Sequence, residues 1–314
     1  MNGGQIFLLV AGSLILLLAI FLIILWWIYS FAFKRARVQC DPFDGLDSEA
    51  MKPFAEANRE RIRRLISLPF EDAYIISPVD GIRLHARIYL GHPDAPVQIM
   101  CHGYRSTPFR DFSGGALEAI DRGYNVILID QRAHGESEGR QITYGICERQ
   151  DLVAWANYAA ERFRDRPIIL LGISMGGATV VAASDLEMPE AVRCIVSDCP
   201  YAVLRDVLIS TARKMGFPGW VYPLISLSAR MFGGINIPDG NFVECARRAR
   251  LPILIIHGED DGLVPAEMSA ALYEANPEMI KRITFPGAHH GTSYLTDRDR
   301  YMSELDAFVG EHIG

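Results

Sequence analysis

Short apolar runs recur along this chain and constrain its fold more than any other feature. Each run of Val, Ile and Leu is followed by a loop, and helical patterns fit between the runs, for example over 148–163 and 175–185. Strands of this kind are typical of a mostly parallel sheet covered by helices on both faces. The sequence therefore predicts an α/β fold. The predicted strands are 97–101, 126–129, 168–171, 194–196, 253–256 and 282–285.

A hairpin is predicted ahead of this sheet. Residues 74–77 and 82–89 are rich in β-forming residues, and the Asp80-Gly81 pair between them is a strong signal for a tight turn. We expect an antiparallel hairpin that leads into the parallel strands. The main domain is accordingly predicted to span 73–314.

The N-terminus carries a different signal. Residues 6–33 form a run of about 28 residues without a charge, and a helix of that length would reach about 42 Å, enough to cross a hydrocarbon core of about 30 Å. A cleaved signal peptide is the alternative, but such peptides have a basic start and a shorter apolar core. Here residues 1–5 include no basic side chain, and Trp26 and Trp27 suit a membrane interface. We therefore predict an uncleaved transmembrane anchor over 1–36.

The basic residues that flank this span predict its orientation. None precedes it and several follow it, and such residues tend to remain on the cytoplasmic side. We expect a single-pass protein whose C-terminal bulk is cytoplasmic. Residues 37–72 indicate a charged helical connector, whose basic face is either solvated or in contact with anionic lipid. The basic residues beyond the span include Lys34, Arg35, Arg37, Arg59, Arg61, Arg63 and Arg64.

A stretch without strands interrupts the alternation. Residues 202–249 contain no convincing strand, although neighbouring elements in such folds are usually joined by about 2 to 6 residues. We predict a helical cap insertion here. Its large apolar side chains either line a substrate pocket or pack the cap onto the domain. They are Phe217, Trp220, Tyr222, Leu224, Met231 and Phe232.

Composition and motif content argue against several kinds of ligand. The net charge of −7 and the pI near 5.6 argue against a nucleic acid partner, which needs clustered Lys and Arg. The six cysteines show no C-x-x-C pair, so buried free thiols are expected. His289-His290 is the only adjacent histidine pair and lacks further metal ligands at a suitable spacing. No P-loop or dinucleotide fingerprint occurs, so no cofactor is implied.

Two Gly-x-Ser-x-Gly matches occur, and their contexts differ. The match at 172–176 directly follows a predicted strand and precedes a predicted helix, as a nucleophile elbow requires. The match around Ser137 lies several residues beyond its strand, between two glutamates, and leads into no evident helix. Carboxylates there would disfavour an oxyanion. Ser174 is therefore the predicted nucleophile, and Ser137 is a loop residue.

A serine nucleophile needs a base, and the base needs an orienting acid. The strand predicted over 253–256 is followed by Asp260 and Asp261, and the last strand is followed by His289 and His290. Loops that follow strand ends lie at the rim where Ser174 is expected to emerge. The order Ser, Asp, His is the one expected of such a scaffold.

These residues together resemble the α/β-hydrolase superfamily, near its esterase, monoacylglycerol-lipase-like and serine-aminopeptidase-like branches, over 74–314. The family pattern H-G-x-x-D-x-x-V-P matches 257–265 and selects Asp261 as the acid. A glycine before the base and a small or hydroxyl residue after it select His290. Asp198 is a rival acid, because some members place the acid after the preceding strand.

The resemblance also implies an oxyanion hole and a reaction. Its donors are expected to be the backbone amides of Met175 and of Tyr104, the latter in the His-Gly-x segment that begins at His102. We expect hydrolysis of a small-molecule or lipid ester through an acyl-enzyme on Ser174, and the anchor favours a lipophilic acyl group. The alternatives are a thioesterase or peptidase of the same fold, or a membrane-tethered interaction protein without turnover.

Overall fold

The computed structural model describes residues 2–36, 41–164 and 166–313. Within these residues, eight strands form one mixed sheet, and the α/β prediction is confirmed. The six strands predicted for the sheet are present, most of them slightly longer than expected. The strands are β1 (Glu71–Ile76), β2 (Arg83–Tyr89), β3 (Val97–Cys101), β4 (Asn125–Asp130), β5 (Ile168–Ile173), β6 (Val192–Asp198), β7 (Ile253–Gly258) and β8 (Ile280–Phe285).

The topology of the sheet determines which loops meet. The strand order is β1-β2-β4-β3-β5-β6-β7-β8. β2 pairs antiparallel with both β1 and β4, whereas all the other pairs are parallel. The predicted hairpin is therefore confirmed, although β1 begins at Glu71, ahead of the predicted start. Because β3 to β8 run in the same direction, the loops that follow them lie along one edge of the sheet.

Helices cover both faces of this sheet. In chain order they are α1 (Gly3–Ala32), α2 (Ala55–Ser67), α3 (Pro108–Asp121), α4 (Glu148–Arg162), α5 (Met175–Ala183), α6 (Leu204–Lys214), α7 (Tyr222–Gly233), α8 (Phe242–Arg247), α9 (Ala266–Ala275), α10 (Ser293–Thr296) and α11 (Arg298–Ile313). The helices α4, α5 and α9 pack on one face with the cap, and α2, α3 and α11 pack on the other. Strand side chains alternate between the two cores, as Ile99 and Met100 do.

By length and composition, the helix α1 is long and apolar enough to cross a membrane. Asn2 caps its start, because its side chain accepts a hydrogen bond from the backbone amide of Gln5. Most side chains of α1 are exposed, but Leu25 and Tyr29 near its C-terminal end are buried. Phe33, which follows the helix, is also fully buried. The end of α1 therefore packs onto the folded domain.

The segment predicted to form a cap, 202–249, contains α6, α7 and α8 and no strand. The ring of Phe232, on α7, packs edge-on against Trp26 of α1, with centroids 5.1 Å apart. Phe217, Trp220 and Met231 remain exposed. In the connector, α2 follows a series of turns.

Predictions that involve Arg37 and Cys40 lie outside the described residues. The other five cysteines are free thiols; four are buried and one is half-buried. They are Cys101, Cys147, Cys194, Cys199 and Cys245.

Candidate active site

A strained turn presents Ser174 at the end of β5. This residue connects β5 directly to α5 and has φ of +56° and ψ of −115°, a conformation that residues with a side chain rarely adopt. The flanking glycines make the turn possible. A Cβ at Gly172 would lie 2.1 Å from the carbonyl oxygen of Gly176, and a Cβ at Gly176 would lie 1.8 Å from that of Cys101. The chain therefore forms the sharp strand–turn–helix of a nucleophile elbow.

The structure brings the predicted nucleophile, base and acid into one hydrogen-bonded chain. Ser174 Oγ donates to His290 Nε2 over 2.8 Å, and His290 Nδ1 donates to Asp261 Oδ2 over 2.6 Å. The three residues follow β5, β8 and β7, whose C-terminal ends lie at the same edge of the sheet. In this geometry His290 can accept the proton of Ser174 while Asp261 fixes the tautomer of the imidazole.

The surroundings of Asp261 keep it ionised. Burial of its side chain opposes ionisation, but hydrogen bonds to the charged form outweigh that effect. Oδ2 lies 3.3 Å from His257 Nε2 and accepts the bond from His290, while Oδ1 accepts from the backbone amides of Leu263 and Val264, each over 2.8 Å. These contacts hold the pKa of Asp261 well below its usual range. The carboxylate is therefore available to stabilise an imidazolium at neutral pH.

The neighbours of the two selected residues make other contacts. His289 Nδ1 donates to the backbone carbonyl of Asp260 over 2.9 Å, and the Asp260 side chain is exposed. His257 Nε2 donates to the carbonyl oxygen of Val264 over 2.9 Å, which closes the loop after β7. Within the described residues, neither the Asp260 carboxylate nor the His289 ring bonds to His290.

The second Gly-x-Ser-x-Gly match lies in a different place. Ser137 is buried in the loop after β4. Its hydroxyl donates to the carbonyl oxygen of Asp130 over 2.5 Å and accepts from the backbone amide of His85 over 2.8 Å. The hydroxyl thus joins this loop to β2.

The two segments predicted to supply oxyanion donors lie beside Ser174. Met175 is the first residue of α5, where a backbone amide has no carbonyl partner within its own helix and the helix dipole is positive. The loop that carries Tyr104 passes close to the nucleophile, since a Cβ at Gly103 would lie 3.4 Å from the Cβ of Ser174. The amide of Gly103 donates to Asp111 Oδ2 over 2.7 Å, which fixes this loop.

The rival acid, Asp198, lies outside the hydrogen-bonded chain. Its backbone carbonyl accepts from the amide of Ser174 over 2.9 Å, and its buried carboxyl group bonds to Tyr301. Among the described residues, Oδ1 has no hydrogen-bond partner. Burial raises the pKa of Asp198 to about 6, and the nearby His257 and His290 offset this only in part. This carboxyl is less suited to orienting the base than the fully ionised Asp261.

Asp198→Asn is expected to leave kcat within about tenfold of the wild type and to change how stability depends on pH. Because the pKa of Asp198 is raised to about 6 in the fold, the folded state keeps this proton to higher pH than the unfolded chain does. The ionisation therefore costs stability as the pH rises from about 4 to about 6. Relative to the wild type, the free energy of unfolding of the variant should rise by up to about 3 kcal/mol between pH 4 and pH 7.

Denaturant unfolding at the two pH values and steady-state turnover together measure this prediction. A loss of kcat as large as that of an Asp261 variant would instead make Asp198 the orienting acid. An unchanged pH dependence of stability would show that the carboxyl is solvated in the folded state.

A cavity of about 400 Å³ reaches Ser174 and His290. It lies between α3, α10, α11 and the sheet, and turns of the connector close it; within the described residues the cap does not line it. The apolar cap residues therefore do not form this wall. Sequence reasoning missed the wall positions, because no motif marks them. The apolar ones include Leu46, Met51, Phe112, Leu171, Ile173, Leu295, Met302, Leu305 and Val309.

Two family descriptions match this chain. Residues 96–225 match the family described as alpha/beta hydrolase fold, and this range contains the elbow at Ser174. Residues 223–291 match the family described as serine hydrolase (FSH1), and this range contains Asp261 and His290.

Individual relatives cover most of the main domain. Uncharacterized protein YqkD of Bacillus subtilis is 24% identical over 240 residues, which are 76% of this chain and 78% of that protein. Lysophosphatidylserine lipase ABHD12 of Danio rerio is 25% identical over 57% of this chain, and the match spans 47% of its own length. The structure of an esterase from Pyrococcus furiosus has the same fold, with a TM-score of 0.65 at 22% identity over 80% of this chain and 94% of that one. The chain therefore has the α/β-hydrolase fold, and it matches two hydrolase families over ranges that together contain Ser174, Asp261 and His290.

Proposed function

We propose that this protein hydrolyses carboxylic esters through an acyl-enzyme on Ser174. The observation that carries the proposal is the hydrogen-bonded chain from Ser174 through His290 to Asp261, at 2.8 Å and 2.6 Å. A serine hydroxyl is a weak nucleophile until a base removes its proton, and the base needs an ionised partner to hold its tautomer. The arrangement at the ends of β5, β7 and β8 supplies all three parts.

The reaction proceeds in two steps. His290 takes the proton of Ser174 as the serine oxygen attacks the ester carbonyl carbon, and the amides of Met175 and Tyr104 stabilise the oxyanion. His290 then gives the proton to the leaving alcohol, and the acyl group remains on Ser174. In the second step His290 activates a water molecule, which attacks the acyl-enzyme and releases the carboxylic acid. Asp261 stabilises the imidazolium in both steps.

The cavity beside Ser174 favours a lipophilic acyl group. Its apolar walls gain about 0.8 kcal/mol for each methylene that they bury. Two carboxylates in the lining are already engaged, since Asp111 accepts from the amide of Gly103 and Glu118 accepts from Tyr294 and Arg298. Of the other acids in the lining, Asp306 is paired with Arg122, and Asp44 is exposed on the connector. Burial raises the pKa of the third, Asp198, to about 6. The described lining therefore offers no cluster of free carboxylates for the ammonium group of a peptide. This arrangement favours an esterase over an aminopeptidase.

We also propose that α1 spans the membrane once and that the hydrolase domain lies on the cytoplasmic side. The exposed surface of α1 is almost entirely apolar, with Leu16 61% exposed, which suits lipid rather than water. Lys34 and Arg35 directly follow the helix, and basic residues next to a span tend to remain on the cytoplasmic side. A lipid ester in the same membrane would reach the enzyme by lateral diffusion. The lysophosphatidylserine lipase among the relatives supports a substrate of this class.

Reaction with a fluorophosphonate tests the proposal, because such probes phosphonylate an activated serine. We expect the detergent-solubilised wild type to be labelled and to hydrolyse p-nitrophenyl esters, with a higher kcat/KM for long acyl chains than for acetate. A folded wild type that neither reacts with the probe nor hydrolyses any ester would contradict the proposal. That outcome would favour an interaction protein that retains the fold.

Gly115→Leu is expected to shorten the acyl chains that the enzyme accepts. Gly115 lies on α3 and lines the cavity, and a Cβ there would have no atom within 4 Å, so the new side chain occupies empty space. If it excludes two methylenes from the cavity, about 1.6 kcal/mol of binding is lost. The kcat/KM for p-nitrophenyl palmitate should then fall about tenfold relative to that for acetate. A series of p-nitrophenyl esters measures the profile.

Gly310→Leu is the matched control for this variant. Gly310 is exposed on α11, does not line the cavity, and also has no atom within 4 Å of a Cβ position. Both variants gain the same helix propensity, so only the cavity differs between them. The control should keep the wild-type profile. If Gly115→Leu kept it as well, the acyl chain would bind elsewhere.

A further inference from the structure

The loop after β3 bonds directly to the C-terminal end of α1. Tyr104 Oη donates to the carbonyl oxygen of Ala32 over 2.9 Å, and Arg105 Nη2 donates to that of Phe31 over 2.7 Å. Tyr144, in the segment before α4, donates to the same Ala32 oxygen over 2.8 Å. Three side chains of the hydrolase domain thus cap one helix end.

These bonds satisfy groups that α1 cannot satisfy by itself. The last carbonyl oxygens of an α-helix have no partner within it, and their partial negative charge suits a guanidinium. α1 has no basic residue in its last turn, and the described side chains that donate to the carbonyl oxygens of Phe31 and Ala32 are at least 72 positions away in the sequence. The helix end is therefore completed by the domain that it anchors.

Aromatic packing makes this contact rigid. The ring of Tyr104 stacks on that of Tyr144, with centroids 5.0 Å apart, and Tyr144 meets the buried ring of Phe33 edge-on at 5.6 Å. Two buried rings and the half-buried ring of Tyr104 pack around one helix end, which leaves it little room for independent motion.

The same loop holds a strained residue. Arg105 has φ of +48°, in the left-handed region, which costs a residue with a side chain about 1 kcal/mol or more. Such a conformation persists only where the surroundings hold it. The amide of Arg105 donates to His134 Nε2 over 3.0 Å, and its guanidinium bonds to Phe31. The loop after β3 is thus held by the loop after β4 on one side and by α1 on the other.

We propose that the C-terminal end of α1 is a positioning element of the active site, which holds the loop whose Tyr104 amide stabilises the oxyanion. The inference rests on the proposed function, because that function gives the amide its role. The helix end bonds to the side chain of Tyr104, whose amide is the proposed oxyanion donor, so a shift of α1 would move that donor. Misplacement of a catalytic group by about 1 Å can cost about 10²-fold in rate.

The test removes hydroxyl groups and keeps the rings. We expect Tyr104→Phe and Tyr144→Phe each to lower kcat about tenfold, and the double variant to lower it about a hundredfold. The KM for p-nitrophenyl butyrate should change little, because the ground-state ester places no charge in the oxyanion hole. The affinity for a trifluoromethyl ketone, which forms a tetrahedral oxyanion adduct with the serine, should fall by the same factors as kcat.

Tyr89→Phe is the matched control. Tyr89 Oη also donates to a helix carbonyl, that of Leu65 near the end of α2, over 3.1 Å, but on the other face of the sheet and outside the cavity lining. The control loses the same kind of bond and should keep kcat and the inhibitor affinity. If the folded double variant matched the control in both readouts, the inference would be overturned. Failure of the proposed function is distinguishable, since it would appear in the wild type as no labelling and no turnover, and would overturn both.

Discussion

Ser174→Ala is expected to lower kcat for ester hydrolysis by about 10⁵- to 10⁶-fold and to abolish labelling by a fluorophosphonate. The variant loses the oxygen that forms the acyl-enzyme, while His290, Asp261 and the oxyanion donors remain in place. The rate that remains would come from those donors acting on water and bound ester. Hydrolysis of p-nitrophenyl butyrate and gel-based detection of the labelled protein measure the two effects.

Ser137→Ala is the control for this result, because it alters the other Gly-x-Ser-x-Gly match. The hydroxyl of Ser137 makes two buried hydrogen bonds, so the variant should lose about 1 to 3 kcal/mol of stability. It should still react with the probe at the wild-type rate once folded. Labelling that survives in Ser174→Ala and disappears in Ser137→Ala would assign the nucleophile to Ser137 and refute the site.

Asp261→Asn is expected to lower kcat by about 10⁴-fold with little change in KM. The amide that replaces the carboxylate can present an N–H to His290 Nδ1, which stabilises the wrong tautomer and leaves Nε2 protonated. The imidazolium that forms during the reaction also loses its stabilising charge. Steady-state kinetics measure the loss.

The same variant has a consequence for stability. The pKa of Asp261 lies well below its usual range in the fold, so its ionised form contributes stability above about pH 4, which is lost as the pH falls towards the folded pKa. In Asp261→Asn the free energy of unfolding should not show this decrease at low pH. Asp260→Asn is the control, because that side chain is exposed and one residue away. If both variants lost equal activity, the loop conformation rather than the Asp261 carboxylate would be responsible.

The location of the candidate site could be predicted because its signals are local. An apolar strand, two glycines and a helix specify the elbow at Ser174, and each element is contiguous in the sequence. Asp261 and His290 follow strand ends, and a parallel sheet brings such loops to one edge regardless of their separation along the chain. Their catalytic roles are the predictions that the variants above test.

The docking of α1 could not be predicted, since nothing local marks it. Leu25 is fully buried and Leu16 is 61% exposed, although both are leucines in one apolar run. The difference arises because the C-terminal part of α1 packs against α7, which is far along the chain, whereas Leu16 lies nearer the start of the helix. The open space beside Gly115 could not be predicted either, because a glycine within a helical pattern does not reveal whether another residue packs against it. In both cases tertiary packing determines whether a position is buried or faces open space, and the local sequence pattern does not.

The bonded end of α1 determines how the hydrolase domain would be oriented in a bilayer. A domain joined to its anchor by a flexible linker would reorient freely above the lipid. Here the domain is bonded to the helix end at Phe31 and Ala32, so helix and domain would tilt together. α1 has 30 residues, about 45 Å of helix, which exceeds a hydrocarbon thickness of about 30 Å and is accommodated by tilting. If α1 spans a membrane as proposed, a thinner bilayer would increase its tilt and rotate the mouth of the cavity relative to the headgroups. Bilayer thickness would then alter how the cavity is presented to lipid.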